Sequence, residues 1–545
     1  MASRLTTYIV VLIVTGTVIA GLIVGAQRDD ASGPVDLIIT NGRVFTGAGG
    51  ELAEALAVQG NKILRVGSNR EIKRLRRPQT LMLDAHGAAV LPGLIDTHVH
   101  LGEAASALVG VDLAGATTPD AVQVRLAAFA EAHPEAAWIR GQGWPADRFV
   151  GAPPTKSLLD EAVSERAALV LAEDGRTAWA NSRALMLAGI TRHTPNPKGG
   201  VIVRDVRTGE PTGVLRGAAR ELVTRALPDP SDAERMEALQ AAVRQAHSVG
   251  VTSVHSIADA EQDLELYDAL RSTGDLRLRV YSAIGLPLSS WQEQAGRLEV
   301  LRERYPDDPV LKTGAAVVTL GDADVPTESS AAITPSLARL VTFLDAHGWQ
   351  ALVEVSSETT LAAALDAFEA ALNENPPPAR GRRHRLEQAG TLAPGDAERV
   401  AHLGVTASMP VPDEESDRDA CRLLADAGAR VTFGSDWPSS MLDPRNALAV
   451  AEPDSRQGGE DSDVAEPSRE ALALPAAIDA HTAAAAWASF DDQRKGSLQR
   501  GMLADIVILT SDIFAPGSRL ADIEVHTTIF DGEVVYSLAS DMGTH

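Results

Sequence analysis

The chain contains 545 residues, and its composition, 45% hydrophobic and 23% charged, is that of a folded globular protein rather than a disordered one. This length predicts either several domains or one large α/β barrel with additions. The formal net charge of -25 argues against nucleic acid and anionic membrane surfaces as partners, and the single cysteine, Cys421, excludes a disulfide within the chain.

The first 30 residues contain a long apolar run from Tyr8 to Val24, preceded by Arg4. Small residues at 24–26 fit the cleavage site of a secretory signal peptide, whereas the length of the run approaches that of a membrane-spanning helix. Both alternatives, a signal peptide and a single-span membrane anchor, stay open for residues 1–30. In either case we expect the body of the protein to lie outside the cytoplasm and to meet the membrane only through this segment.

Short strands separated by glycine-containing turns occupy residues 34–90 and reappear at 496–540. Either group alone would leave exposed strand edges, which soluble proteins avoid. The two groups together can form one small β-sandwich, so we predict a composite domain built from both chain ends.

Between residues 91 and 495, apolar strands alternate with helical segments, a pattern typical of a parallel α/β architecture. The pattern favours a (β/α)8 barrel, whose active site lies at the carboxyl ends of the strands. After a first strand at 91–101, the predicted strands lie at 168–171, 251–255, 276–281, 310–312, 351–355, 385–387, 405–408 and 431–434. The acidic stretch 453–470 is predicted to be a solvated loop after the last strand.

The first barrel strand ends in two histidines, His98 and His100, after a Pro-Gly turn and Asp96. Side chains alternate faces along a strand, so the two imidazoles point the same way. Two imidazoles on one face can provide half of a metal site. The alternative is a pair of polar residues that are hydrogen-bonded at a strand end.

Further motifs follow this one in order, at 174–182, 199–202, 209–213, 250–255, 434–438 and 495–505. Together they resemble the amidohydrolase superfamily, and specifically its amidohydrolase 3 (YtcJ-like) branch of metal-dependent hydrolases. The resemblance extends from residue 35 to residue 536. It implies a barrel with a small β-sandwich built from both chain ends, and hydrolysis of amide-type carbon–nitrogen bonds in a small molecule.

The resemblance also implies a ligand set. His98, His100 and Asp436 would bind a divalent metal, with zinc as the first choice, and the metal would activate water and polarise the scissile carbonyl. Asp436 would also take the proton of the attacking water and pass it to the leaving amine. The alternative for Asp436 is an aspartate that caps the next helix.

The chain departs from the family pattern at several positions. Among them, Glu354 replaces the histidine that normally ends strand five, and Gln388 replaces that of strand six. Glu354 offers an anionic oxygen, so it joins the two histidines and Asp436 in one predicted metal site. Lys312 is a candidate for a carbamylated bridging ligand. The alternative for Lys312 is a buried ion pair with Glu354, since an unpaired buried charge is costly.

Four residues are candidates for contact with the substrate: Arg176, Trp144, Gln388 and His255. Arg176 replaces a family histidine and has the fork geometry to bind a carboxylate, but the interpretation that we favour for it is pairing with a neighbouring acidic residue. Trp144 fits either a pocket wall or ordinary packing. His255 fits either a replacement metal ligand or a polar residue at a strand end.

Two functions therefore compete. The first is a metal-dependent hydrolase with an altered ligand shell, acting on a small molecule. The second is a catalytically inactive relative that keeps the barrel and binds a small molecule or a partner. A homodimer is compatible with either function, and metal content separates the two.

Overall fold

The computed structural model describes residues 34–538, except 48, 51, 147–149, 151–153, 174–175, 320–332, 391, 411–414, 441, 449–450 and 452–471. Across these described residues, no helix has both the length and the apolar character that crossing a membrane requires. The predicted signal peptide or anchor at 1–30 and the whole of the predicted acidic loop at 453–470 lie outside the described residues.

The strands are short to medium in length and fall into four sheets. In chain order they are β1 (Leu37–Thr40), β2 (Arg43–Val44), β3 (Ala55–Gln59), β4 (Lys62–Gly67), β5 (Leu81–Asp84), β6 (Ala89–Pro92), β7 (Leu94–Val99), β8 (Val111–Asp112), β9 (Trp138–Trp144), β10 (Ala167–Ala172), β11 (Thr177–Ala180), β12 (Gly200–Arg204), β13 (Pro211–Gly217), β14 (Val251–Asp259), β15 (Arg279–Pro287), β16 (Leu311–Thr319), β17 (Gln350–Glu354), β18 (Arg385–Glu387), β19 (Thr406–Pro410), β20 (Arg430–Gly434), β21 (Ile506–Leu509), β22 (Val525–Phe530) and β23 (Glu533–Ser537).

The helices of the described residues lie mostly between the later strands. In chain order they are α1 (Asn69–Lys73), α2 (Leu101–Ala107), α3 (Pro119–Ala132), α4 (Lys156–Ala162), α5 (Ser182–Leu187), α6 (Glu221–Thr224), α7 (Asp232–Ser248), α8 (Glu261–Thr273), α9 (Trp291–Arg304), α10 (Thr334–Ala346), α11 (Glu358–Glu374), α12 (Pro394–Leu403), α13 (Glu415–Asp426), α14 (Pro444–Leu448), α15 (Leu474–Ala480) and α16 (Ala483–Ala488).

Eight parallel strands form a barrel in the order β7, β14, β15, β16, β17, β18, β19, β20. From β14 to β20, one of the helices α8 to α13 lies between each strand and the next. Most residues of these strands are buried, as expected for parallel strands that helices cover from outside. The predicted (β/α)8 barrel is confirmed.

Hydrogen bonds between β7 and β20 close the barrel. The hydroxyl of Thr97 donates to the carbonyl of Phe433 at 2.9 Å. Just beyond the strand ends, the amide of Asp436 donates to the His98 carbonyl at 2.8 Å, and the amide of His100 donates to the Trp437 carbonyl at 2.8 Å. This seam brings the first and last barrel strands into register at the end where the predicted ligands lie.

A six-stranded sheet lies between the first and second barrel strands in the sequence, with the order β12, β13, β11, β10, β9, β8. It contains β10, so the prediction that 168–171 is a barrel strand is wrong. The reason is local: β9 and β10 pair in parallel and are joined through helix α4, which gives the same strand–helix–strand pattern as a barrel unit.

A β-sandwich combines strands from both chain ends. One sheet has the order β4, β3, β1, β5, and the other has the order β2, β6, β21, β22, β23. Strand β21 pairs antiparallel with β6, so Val507 lies opposite Leu91. Side chains from both sheets share one buried core, which includes Ile39, Leu56 and Ile529. The predicted sandwich built from both chain ends is therefore present.

A buried ion pair attaches this sandwich to the barrel. Arg279, at the start of β15, donates two hydrogen bonds to Asp505 at 2.6 and 2.8 Å, and a third to Asp531 at 2.5 Å. Its guanidinium also lies over the ring of Phe530, 4.6 Å from the centroid. The barrel thus contributes the cation and the sandwich contributes both anions.

Two buried lysines, Lys312 and Lys495, share one carboxylate near the amino ends of the barrel strands. Lys312 Nζ lies 2.6 Å from Asp491 Oδ1, and Lys495 Nζ lies 3.5 Å from Asp491 Oδ2 and contacts the hydroxyl of Ser253. Burial lowers the pKa of Lys495 to about 8, against an ordinary value of 10.5, because Asp491 only partly offsets the loss of hydration. Lys495 is therefore a titrating group within the folded protein.

We expect the free energy of unfolding to rise between pH 8 and pH 10.5. In that window the unfolded chain holds the Lys495 proton and the folded chain releases it, so raising the pH favours the folded state by up to about 3 kcal/mol. Urea denaturation followed by tryptophan fluorescence measures this rise. The rise should disappear in Lys495→Met and persist in Lys198→Met, which removes an exposed lysine. An equal rise in all three proteins would contradict the assignment.

Candidate metal centre

His98 and His100 lie at the carboxyl end of β7, where both imidazoles face Asp436. His98 is buried in the barrel, and His100 follows the strand and is partly exposed. The Nε2 atoms of His98 and His100 lie 3.6 and 3.2 Å from Asp436 Oδ1. Among the described residues, these three form a group whose candidate ligand atoms all lie within 4.8 Å of one another. The structure therefore brings together the three residues that the family motif predicts as ligands.

The other nitrogen of each imidazole is held by an acceptor. Nδ1 of His98 lies 2.8 Å from Oε2 of Glu387, and Nδ1 of His100 lies 3.2 Å from the carbonyl oxygen of Ile257. An ionised carboxylate and a carbonyl can only accept hydrogen bonds, so both Nδ1 atoms carry a proton. In the neutral imidazole the Nε2 atom then presents its lone pair, which is the form that binds a metal.

The position of Asp436 depends on close packing at the end of β20. A Cβ atom at Gly434 would lie 2.3 Å from the Cβ of His98, so only glycine lets the two strands approach this closely. Two residues later, Asp436 has a φ of 58°, a left-handed conformation that is uncommon outside glycine and often marks functional sites. This turn directs the Asp436 carboxylate back towards the histidines.

The charges of this cluster influence one another. Burial opposes ionisation of Asp436, but the protonated form of His100 donates its Nε2–H to this carboxylate, and this hydrogen bond and the charges of the protonated imidazoles hold the pKa of Asp436 below its ordinary value. The same hydrogen bond raises the pKa of His100. A proton and a cation therefore compete for His100 Nε2, so metal affinity should increase with pH.

Asp96 connects β7 to the residue that follows β20, close to the candidate ligands. Its carboxylate accepts hydrogen bonds from the amides of His98 and Ser435, both at 3.1 Å. Burial raises the pKa of Asp96 to about 6, although these amides partly offset the effect. Asp96 thus holds the backbones that carry His98 and Asp436 at a fixed separation.

Glu354 lies beside the ligand cluster rather than within it. It ends β17 and is mostly buried, and burial raises its pKa, while the charges of His98 and His100 act in the opposite direction. Its oxygens do not belong to the described group of atoms within 4.8 Å of one another. Glu354 is therefore a neighbouring anion of the three-residue group, and its role as a fourth ligand stays a prediction.

Two other candidates lie next to the site on the barrel strands. Gln388 directly follows β18 and has a φ of 59°, and its side chain is partly exposed at the catalytic end. His255 is buried inside the barrel, where its Nδ1 accepts a hydrogen bond from Arg385 Nη1 at 2.7 Å and its ring meets that of Tyr281 edge-on. His255 is therefore committed to an interior contact.

The structure gives the other three predicted site residues different surroundings. Lys312 is the second residue of β16, near its amino end, and is paired with Asp491 instead of Glu354, so it is not placed to bridge metals. Trp144 is buried in the six-stranded sheet, where its ring lies 5.4 Å from that of Trp179. Arg176 lies in the turn before β11 of the same sheet and is exposed.

A profile of the amidohydrolase family matches residues 82–536, which include the barrel and all three clustered ligands. The chain belongs to the amidohydrolase family. This finding confirms the family resemblance that the sequence motifs indicate.

Known family relatives are similar to this chain over nearly its full length. The putative amidohydrolase YtcJ of Bacillus subtilis (strain 168) is 27% identical over 89% of this chain and 96% of its own length. The N-substituted formamide deformylase of Arthrobacter pascens is 27% identical over 92% of this chain and 98% of its own length. An uncharacterized metal-dependent hydrolase from Pyrococcus furiosus matches with a TM-score of 0.62 at 20% identity, covering 86% of this chain and 98% of that structure, which shows the shared fold.

Glu387 is a site residue that sequence reasoning missed. The alternation of strand residues was a usable signal, because Arg385 and Glu387 occupy the same face of β18 and both point into the barrel. The departure from the family pattern on strand six lies one residue later, at Gln388.

We expect the three clustered residues to bind the metal and Glu354 to contribute little. Replacing His100 with alanine removes a ligand nitrogen and should lower zinc affinity by more than about 100-fold, whereas Glu354→Gln should lower it by less than about 10-fold. Competition with a chromogenic chelator measures both affinities. The exposed His193 provides a control, since His193→Ala should bind zinc as the unmodified protein does. Equal losses in the His100 and Glu354 variants would make Glu354 a ligand.

Proposed function

We propose that this chain is a metal-dependent hydrolase that cleaves an amide-type carbon–nitrogen bond in a small molecule. The proposal rests on the barrel seam, where one oxygen of Asp436 lies 3.2 and 3.6 Å from the Nε2 atoms of the two histidines. Membership of the amidohydrolase family and the similarity to an N-substituted formamide deformylase support the reaction class.

The chemistry of the donor set fits a divalent cation. Two imidazole nitrogens and one carboxylate oxygen suit zinc, manganese or iron, and zinc is our first choice. A set of three protein ligands is typical of catalytic zinc sites, which keep one coordination position for water or substrate. His98 and His100 would bind through Nε2 and Asp436 through Oδ1. The adjacent Glu354 carboxylate adds negative charge that favours a cation.

Such a cation would lower the pKa of a bound water and polarise the substrate carbonyl. The protein's own residues supply orientation and proton transfer. Because its pKa lies below the ordinary value, Asp436 is ionised at neutral pH and can accept the proton of the attacking water. The same carboxylate can then deliver that proton to the leaving nitrogen, so that the amine departs as a neutral group.

A second candidate function is that of an inactive relative that binds a small molecule without cleaving it. One observation favours it: the family histidine of strand six is here Gln388, a neutral amide and a weak metal ligand. The two candidates make opposite predictions for the turnover of amide compounds by the metal-loaded protein.

We expect the zinc-loaded protein to release amine from at least one class of compound in a panel of N-substituted formamides, longer amides and ureas. Replacing Asp436 with asparagine removes the proton acceptor and should lower kcat by about 10²- to 10⁴-fold. Amine release is measured after metal removal with a chelator and after zinc is restored.

Metal content is determined in parallel, so that a loss of proton transfer is distinguished from a loss of metal. The exposed Asp205 lies in a turn of the six-stranded sheet, and Asp205→Asn serves as the control that should keep full activity. Zinc-loaded protein that binds members of the panel but cleaves none would support the inactive relative instead.

A further inference from the structure

We propose, on the basis of the metal-dependent function above, that the buried pair of Arg385 and Glu387 positions the metal ligand His98. The two residues lie two positions apart on β18, so both side chains point into the barrel. The two oxygens of Glu387 have different neighbours. Oε2 lies 2.8 Å from His98 Nδ1, and Oε1 forms an ion contact with Arg385 Nε at 2.7 Å that lacks the alignment of a hydrogen bond. Both side chains are completely buried.

Arg385 is itself fixed by two further contacts. Its Nη2 donates to the carbonyl oxygen of Thr97 at 2.6 Å, and its Nη1 donates to Nδ1 of His255 at 2.7 Å. Thr97 immediately precedes His98 in β7, and His255 lies on β14. The guanidinium therefore connects three barrel strands and holds both the backbone and, through Glu387, the side chain of the first metal ligand.

His255 must be neutral to serve as this acceptor. Since Nδ1 accepts from Arg385, the proton of the neutral ring lies on Nε2, which has no hydrogen-bond partner among the described residues. Burial and the nearby charge of Arg385 lower the pKa of His255 well below its ordinary value. His255 thus remains an acceptor across the neutral pH range, which is a different role from the predicted contact with substrate.

The contact of Glu387 Oε2 with Nδ1, beside the Arg385 guanidinium, determines which nitrogen of His98 carries the proton. A carboxylate only accepts, so the proton stays on Nδ1, and the Nε2 lone pair faces Asp436. Carboxylates behind metal-binding histidines fix ring orientation and increase the basicity of the ligand. A buried Arg–Glu pair by itself contributes little net stability, so orientation of His98 is the effect that this pair adds.

A second buried carboxylate, Asp345, also lies between an arginine and a histidine, but neither of these is a candidate metal ligand. Asp345 is buried and accepts from Arg382 at 2.8 and 2.9 Å, and its Oδ1 also lies 3.3 Å from Nε2 of His384. It is therefore also a buried carboxylate between an arginine and a histidine. Substitution at Asp345 also disrupts a buried arginine–carboxylate–histidine contact, but one that does not include a candidate metal ligand.

We expect Glu387→Gln to lower zinc affinity by about 10- to 100-fold, and Asp345→Asn to change it by less than about twofold. Arg385→Lys keeps the positive charge but loses the forked guanidinium, and its loss of zinc affinity should lie between those of the other two variants. Affinities are measured by chelator competition, and the thermal unfolding of the metal-free proteins shows whether each variant folds. Wild-type affinity in Glu387→Gln, or an equal loss in Asp345→Asn, would overturn the proposal.

A second measurement needs no metal and therefore separates this proposal from the proposed function. In metal-free protein with ¹⁵N-labelled histidine, nitrogen–proton correlation spectra report which ring nitrogen of His98 is protonated, with His98→Gln identifying the signal. We expect the Nδ1–H tautomer in the wild type and a changed tautomer or a mixture in Glu387→Gln. An Nε2–H tautomer in the wild type would overturn the positioning role. If the expected tautomers appear but zinc does not bind, the proposed function fails while the positioning of His98 stands.

Discussion

Closure of the barrel between its first and last strands is the constraint on which the candidate site depends. Asp96 accepts hydrogen bonds from the amides of both strands, and the absence of a side chain at Gly434 allows their backbones to meet. Only at this separation does Asp436, in its left-handed turn, reach both imidazoles. A seam that opened by one or two ångströms would leave an intact barrel with no common coordination point, since zinc ligands lie about 2 Å from the ion.

The interior of this barrel contains two layers of buried ion pairs in addition to apolar side chains. Near the amino ends of the strands, Asp491 pairs with Lys312 and Lys495, and above it Arg385 pairs with Glu387. Each of these five buried charges has a partner of opposite sign, which is the condition under which burial is tolerated. The two layers differ in what they support. The layer near the amino ends joins β16 to residues that follow α16, whereas the Arg385 layer ends at a residue of the candidate metal centre.

The sequence made the scaffold predictable because its motifs encode local geometry. The alternation of strand residues put His98 and His100 on one face, and a short turn after an apolar strand put Asp436 at the same end. Long-range position was harder to predict. The apolar pattern predicts a strand only at 310–312, which is the start of β16. Such a short segment does not show that Lys312 lies near the amino end of its strand. The parallel pair of β9 and β10 was indistinguishable from a barrel unit, because strand–helix–strand spacing is the same in both.

The distance along the chain between the two halves of the metal centre has a consequence for protein synthesis. The hydroxyl of Thr97 and the carbonyl of Phe433, which join across the seam, are 336 residues apart in sequence. The six-stranded sheet pairs segments that lie between these positions, so it can complete its hydrogen bonds while the ribosome is still making the later barrel strands. His98 and His100 are therefore synthesised long before Asp436. A nascent chain acquires a complete coordination site only when about four-fifths of it has been translated, as the eighth strand docks against the first.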